Sequence, residues 1–459
     1  MQFIARDEEL RRLERKLSSD RSENILIYGR RRVGKSELVR EAIRRTECVT
    51  VQYVGIKAPL QQNVQGLSTA VAEAFQEPWV RFANLQDVLL YVYQKAQKQR
   101  VILFLDEYPF FRNDDEAVDS ALQVAIDSYQ HDACLKLILC GSYMDTMQKI
   151  IEGGAPLFGR FAEIMQLRPM DYYDAAKFYP NRTDEEKVFL YSIFGGMPFY
   201  LSLLDDTLSP EDNVAELLLR EGSILENEVR LQVTAELSKE ENANVVLDAI
   251  AAGATKYADI SQHFPGKNNS KMNYALNKLI GMGLVAKGSP INKVTDNKKQ
   301  RYTITDNLLD FYYTYLFREG AARGALTAQQ FYDRIRELVE TQYVPRKFEQ
   351  ITQEYLLRQN RTNKIDPPFF AIGRFLYHDK EKHANGEFDV VTADERGYIA
   401  YECKYRQEPV SMATVRREEW QARELGLNFY RYGFVSRSGF TDDVDPEKYI
   451  LLTLADLYA

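Results

Sequence analysis

ENILIYGRRRVGKSELVREAI, residues 23–43, joins an apolar run, a basic turn bounded by glycines and the start of a helical pattern. Ile25 to Tyr28 read as a short buried strand, and the apolar period becomes helical after Gly34. Between them GRRRVGKS fits the spacing GxxxxGK[ST]. Glycines at those positions let backbone N–H groups wrap a phosphate. Lys35 then reaches the β- and γ-phosphates, and the Ser36 hydroxyl ligates Mg²⁺. A plain basic turn is the alternative, but strand before and helix after form the context that nucleotide binding requires. The expected nucleotide contacts are Gly29, Arg30, Arg31, Arg32, Val33, Gly34, Lys35, Ser36 and Glu37.

A nucleotide hydrolase of this kind also needs acid at a strand end. RVILFLDEYPFF supplies it, an apolar run from Val101 to Leu105 delivering Asp106 and Glu107. Asp106 would hold Mg²⁺ through water, and Glu107 would polarise the attacking water. Adjacent acids that only start a loop are the competing reading. Next, LKLILCGS is a buried-strand pattern ending in Ser142, which is placed to sense a γ-phosphate or to cap the helix of MDTMQKII. PLFGRFAEIMQLRPM then offers Arg160, either a γ-phosphate contact stabilising transition-state charge or a surface arginine.

The order FIARDEEL, GRRRVGKS, LDEYP, CGS, PLFGR, GGMPFYL resembles the archaeal-type ATPases of the AAA- and STAND-related P-loop group. The resemblance covers residues 1 to about 205. It implies a parallel sheet in which the sensor strand separates the acidic strand from the P-loop strand. It also implies that Arg6 with its neighbours, and Pro198 of GGMP, flank the adenine. Ala5 departs from the pattern, which often carries glycine there.

The whole chain bounds the rest. At 459 residues it exceeds one core and reads as about three domains. Cys48, Cys134, Cys140 and Cys403 lie in apolar runs without CxxC spacing, as reduced packing residues of a cytoplasmic protein would. Only four histidines argue against a His-rich metal centre. MQFIARDEELRRLERKL is too charged for a signal peptide, and no apolar run reaches the ~18 residues of a membrane span. The net charge of −8 argues against nucleic-acid binding by the whole surface. Its distribution argues otherwise: residues 204–245 balance to −8, whereas residues 253–301 hold nine Lys/Arg against two Asp, a balance of +7.

That basic island coincides with VVLDAIAAGATKYADISQHFPGKNNSKMNYALNKLIGMGLVAKG, a helical pattern broken at Gly253 and Pro265–Gly266. Helix, helix, polar turn and a third helix over 270–280 give a helix-turn-helix order. LVAKGSPINKVTDNKKQRYTIT follows as two strands around a basic loop, a wing. Lys271, Asn273, Asn277 and Lys278 are expected on the outer side of the third helix, with Lys298, Lys299 and Arg301 on the wing. Such a surface suits duplex DNA, and a lid or interaction module is the competing role.

After GAARGALTAQQ the order becomes a long helix, three strands including GEFDVVTAD and YIAYECKYR, a helix and a further strand. Asp389 and Glu402 at neighbouring strand ends would hold a divalent cation with the Cys403 carbonyl. Lys404 would position water beside a scissile phosphate, and Glu349 is a candidate outer partner. Hard oxygen ligands point to Mg²⁺ or Mn²⁺. Solvated strand-edge charges are the alternative. This region, about 330–459, resembles the PD-(D/E)XK nuclease superfamily, in the form appended to archaeal-type ATPases. Asp389, Glu402 and Lys404 match its motif, while the naming proline is replaced by Glu387-Phe388.

The expectation is therefore an α/β chain in three parts. These are a P-loop ATPase domain over 1–205, a helical and winged-helix domain over 206–320, and a nuclease-like α/β domain over 330–459. Its partners would be ATP with Mg²⁺ and DNA, with a second copy of the chain left open. A nucleotide-operated switch, whose rear domains only dock partners, is the rival function.

Overall fold

The run ahead of the glycine-bounded turn becomes β1 (Glu23–Tyr28), buried along its whole length. Four more strands join it: β2 (Val49–Val54), β3 (Val101–Asp106), β4 (Leu135–Gly141) and β5 (Glu163–Gln166). All pairings are parallel, in the order β2-β3-β4-β1-β5. A central parallel strand is covered on both faces, which is why VILFLD and LKLILCG are apolar without alternation. β4 lies between β3 and β1, the separation the sequence resemblance implies. Leu26, Leu103 and Leu137 pack in one core with the helices Leu60–Phe75, Leu85–Ala96 and Ala117–Tyr129. Because the strands run parallel, the Gly29 turn, Asp106 and Ser142 arrive at one edge of the sheet.

This computed structural model describes residues 3–78, 81–112, 117–234, 240–264, 269–379 and 384–459. They form two compact units, Met1–Pro169 and Met170–Ala459. Residues 170–205, grouped with the ATPase part by sequence, lie in the second unit. Contacts remote in sequence put them there. Glu354, on the helix Val344–Arg361, accepts hydrogen bonds from the Tyr172 N–H (3.0 Å) and the Tyr191 hydroxyl (2.8 Å). The Tyr172 hydroxyl in turn donates to the Leu457 carbonyl at 2.6 Å.

Burial pushes the Glu354 carboxyl up to about 7 despite these donors. A folded-state value above the unfolded one means that folding takes up a proton. The stabilisation is complete in acid and is lost as pH rises toward and through 7. Glu354→Gln, which keeps an acceptor and cannot ionise, should therefore gain on wild type as pH goes from 5 to 8, by about 2 kcal/mol. Thermal melts across that range check it, and a pH-independent difference would refute it.

In the second unit, helices Glu240–Ala251, Tyr257–Gln262 and Asn269–Gly281 precede a two-stranded antiparallel ribbon of β6 (Val285–Gly288) and β7 (Arg301–Ile304). The predicted turn at Pro265–Gly266 lies outside the described residues. Met272, Ala275, Leu276 and Leu279 are the buried side of the third helix. Lys271, Asn273 and Asn277 are on its exposed side, and Lys278 is half-buried.

The last part is a mixed five-stranded sheet of β8 (Ala371–Asp379), β9 (Ala384–Asp394), β10 (Gly397–Lys404), β11 (Phe429–Ser436) and β12 (Ile450–Thr453), in the order β12-β11-β10-β9-β8. β8, β9 and β10 pair antiparallel, and β10, β11 and β12 pair parallel. The helix Met412–Glu424 intervenes between β10 and β11. The residue types set the two faces: Ile399 and Tyr401 enter one apolar cluster, and Ala400 between them enters the other. Among the described residues no helix is long and apolar enough to cross a membrane. All four cysteines are free thiols.

Candidate functional site

At the end of β1 the chain must turn tightly past its neighbour. A Cβ on Gly29 would come within 2.3 Å of the Leu167 carbonyl oxygen, so no other residue fits without displacing backbone. Gly34, at φ 93°, occupies the left-handed region and starts the helix Lys35–Arg44. Lys35 is buried and folds back over the loop, its Nζ donating to the Gly29 and Arg30 carbonyls at 3.0 Å. A third bond, 2.9 Å, goes to the Ser142 hydroxyl. Burial pushes the Lys35 ammonium down from its ordinary value, against the nearby Glu107 and Asp106 carboxylates.

The acidic strand end closes on the same loop. Ser36 donates its hydroxyl to Asp106 Oδ2 at 2.6 Å, so a hydroxyl and a carboxylate stand together as hard oxygen donors. That pair fits a hydrated Mg²⁺ beside a phosphate loop. Ser142 donates to Glu107 Oε1 at 2.6 Å, completing a chain from Lys35 through Ser142 to Glu107. Glu107 holds φ 48°, a conformation that costs energy for a side-chain-bearing residue and turns its carboxylate toward β4. Capping is not what Ser142 does: the helix Met144–Lys149 begins from Tyr143, with no side-chain cap.

Several expected contacts take other roles. Arg6 is buried and braces the loop, donating to the Val33 carbonyl (3.2 Å), the Arg168 carbonyl (2.6 Å) and Glu9 (3.0 Å). The preceding Ala5 is left-handed, at φ 60°, the conformation for which the related pattern uses glycine. The Glu37 side chain is exposed and pairs with Arg40 at 2.7 Å. Pro198 opens the short helix Pro198–Leu201 in the second unit.

Of the two roles the sequence left open for Arg160, the structure shows a surface ion pair. Arg160 pairs through two nitrogens with Asp127, at 2.8 and 2.7 Å, and its carbonyl accepts from Asn24 at 2.9 Å. Asn24 stands at the start of β1, about 13 Å of strand from the phosphate loop. Arg160 therefore does not reach the loop of its own chain.

The second expected centre lies in the C-terminal sheet. Asp389 is interior to β9, not at its end, and the pairing explains why it is singled out. Gly373 opposes Val391 and Phe375 opposes Phe388, so Asp389 and Val390 together face the single residue Arg374. This extra residue is a β-bulge, which frees a side chain from the regular alternation. β9 meets β10 in the register Val390↔Tyr401, bringing Asp389 beside Glu402. Burial, then Glu387 and Glu402, push the Asp389 carboxyl up to about 6. Burial, then Asp389 and Glu402, push Glu349 up to about 8. Burial and mutual repulsion both disfavour their ionised forms, and nearby positive charge opposes that effect.

Part of that charge comes from Lys404, whose Nζ donates to Glu402 and, at 3.4 Å, to Glu418. The donor types suit a hard cation, but the side-chain geometry is not that of a metal cage. Among the described residues, no three His, Cys, Asp or Glu side chains are grouped to hold one. The sequence reading also missed Arg374, whose one signal is a lone arginine inside the apolar run FFAIGRFLYH.

Comparison with known proteins bears on both units. Residues 3–204 match a family described as an ATPase domain predominantly from Archaea, a match that runs past Pro169 into the second unit. Residues 312–421 match a family of archaeal and bacterial proteins of unknown function. An uncharacterized protein of Methanocaldococcus jannaschii is 28% identical over 382 residues, 83% of each chain. Among solved structures, the ORC2 protein of Aeropyrum pernix in its ADPNP–ADP complexes is similar with a TM-score of 0.50. It is 13% identical, with 73% of this chain and 96% of that one covered. A Walker-type ATPase of Pyrococcus abyssi is 19% identical, covering 68% and 96%, with a TM-score of 0.48. The family match, the parallel sheet order and the glycine-bounded loop together support a P-loop ATPase fold at the front of the chain.

Proposed function

We propose that the protein hydrolyses ATP with Mg²⁺ and couples the cycle to binding or processing of duplex DNA. The observation that carries the ATP half is the hydrogen-bonded chain Lys35–Ser142–Glu107 beside the Ser36–Asp106 pair. Lys35 would leave its carbonyl partners for the β- and γ-phosphates, and the loop N–H groups would hold their oxygens. Bound Mg²⁺ would neutralise charge developing on the phosphates. Glu107, already positioned by Ser142, would orient the water, and release of Lys35 to the phosphate would change the hydrogen bonding at Ser142. Arg6 would keep the loop in register, and the adenine would lie near it.

The DNA half is supported by the +7 island of residues 253–301 and the outward face of the third helix. Lys298 and Lys299 are exposed at the tip between β6 and β7. Duplex affinity should fall steeply with salt as counterions are released. Reversing Lys298 and Lys299 to Glu should weaken binding on every sequence alike and lower the slope of log K against log[salt] by about 2. Fluorescence anisotropy with several duplexes tests it, and an unchanged slope would remove these lysines from the interface.

The C-terminal carboxylates are read as a phosphodiester-facing centre, from the order of elements and the bulge that presents Asp389. One observation favours the rival switch: Glu402 is held by Lys404. Steady-state ATP turnover with and without duplex DNA separates the two. Strong stimulation supports a DNA-coupled ATPase, and slow turnover indifferent to DNA supports a switch whose rear domains dock partners.

A further inference from the structure

The loop between β6 and β7 is fastened to the C-terminal sheet. The Ile291 N–H donates to the Arg374 carbonyl at 2.9 Å, and Asn292 exchanges two bonds with the backbone of Leu376, at 2.7 and 3.1 Å. Ile291 packs into the apolar cluster of Phe388, Val391 and Phe429. β8 is the outer strand of its sheet, so this loop covers an edge that would otherwise offer unpaired backbone groups. The ribbon and the carboxylate-bearing sheet thus meet along one seam.

At that seam two arginines converge on one oxygen. Arg301, the first residue of β7, donates to Glu387 Oε2 at 3.2 Å, and Arg374 of β8 donates to the same oxygen at 3.4 Å. Arg301 was expected to project from the ribbon as a free DNA contact, but it also bonds Thr255 and is half-buried. None of the three side chains is fully enclosed: Arg301, Arg374 and Glu387 remain 26%, 21% and 30% exposed. Both guanidinium groups lie near enough to Asp389 for their charges to act on it. Two arginines on a single anionic oxygen form a phosphate-binding arrangement, and here a carboxylate of the chain occupies the phosphate's position.

We propose that Arg301 and Arg374 form a clamp for a backbone phosphate of duplex DNA, closed by Glu387 in its absence, which joins the basic ribbon to the Asp389–Glu402 centre. The proposal rests on the DNA reading above and deepens it. Lys298 and Lys299 precede Arg301 by only two or three residues, at most about 10 Å of extended chain. A phosphate backbone held by those lysines therefore lies within a few residues' reach of Arg301. Arg374 contributes from a different element, which makes the C-terminal sheet part of the binding surface.

The test is duplex binding by the full chain in EDTA, where no metal-dependent cleavage intervenes, measured by anisotropy over a salt series. Arg374→Ala should weaken binding about tenfold and lower the salt slope by about 1. Glu387→Gln should do the opposite and tighten binding several-fold, because it releases both arginines from a competing anion. No folding defect tightens binding, so that variant keeps the idea falsifiable if Arg374→Ala is poorly folded. If wild type binds but neither variant changes affinity or slope, the clamp is wrong and the ribbon acts alone. If wild type binds no duplex at low salt, or takes duplex RNA in preference, the DNA reading itself falls and the clamp with it.

Discussion

Glu107→Gln should bind ATP as wild type does and lose turnover by at least about 100-fold, within the span general-base removal produces. The amide keeps the shape and can still accept from Ser142, so the left-handed turn at Glu107 is preserved. What it loses is the negative charge proposed to polarise water. Lys35→Ala should fail differently: nucleotide binding itself weakens, because the loop loses the ammonium that its own carbonyls and Ser142 now hold. Ser142→Ala separates the two, leaving binding near normal while turnover falls as Glu107 loses its positioning hydroxyl. Nucleotide binding by fluorescence and phosphate release in single turnover distinguish the three variants. Wild-type turnover in Glu107→Gln would remove that residue from the chemistry.

Asp389→Ala should abolish any Mn²⁺ binding that belongs to the C-terminal centre, a loss of more than about 100-fold, since even outer partners of a metal cost 10- to 100-fold. Lys404→Ala should act in the reverse sense. Its ammonium now occupies Glu402, so its removal frees a carboxylate and takes away a repelling charge. Mn²⁺ affinity should rise, while any metal-dependent cleavage of DNA should fall if Lys404 has the proposed role of positioning water and phosphate. Calorimetry without nucleotide reads the first effect and a gel assay the second. Equal Mn²⁺ binding by wild type and Asp389→Ala, with no cleavage by either, would make these carboxylates structural and favour the docking role.

Buried parallel strands and a phosphate loop are written in local order, which is why the front of this chain is legible from residues alone. An uninterrupted apolar run has one stable place, a central strand, and glycines at fixed spacing permit one kind of turn. Asp106, Glu107 and Ser142 follow from the same rule, since a parallel strand delivers its last residue to the common edge. The helix register of Asn269–Gly281 was equally periodic, and equally readable. Pairing was not. Whether Arg160 reaches a phosphate depends on which edge of the sheet its segment enters, and its partner Asp127 is remote in sequence. The bulge at Asp389 arises from the register of β8 against β9, and a register carries no local signature when both strands alternate irregularly. Arg301 looked like a solvent-facing cation and is instead tied to Glu387, 86 residues away. Charges of that kind are placed by what packs opposite them, so composition announces a basic ribbon, and only the tertiary structure decides which of its arginines is already engaged.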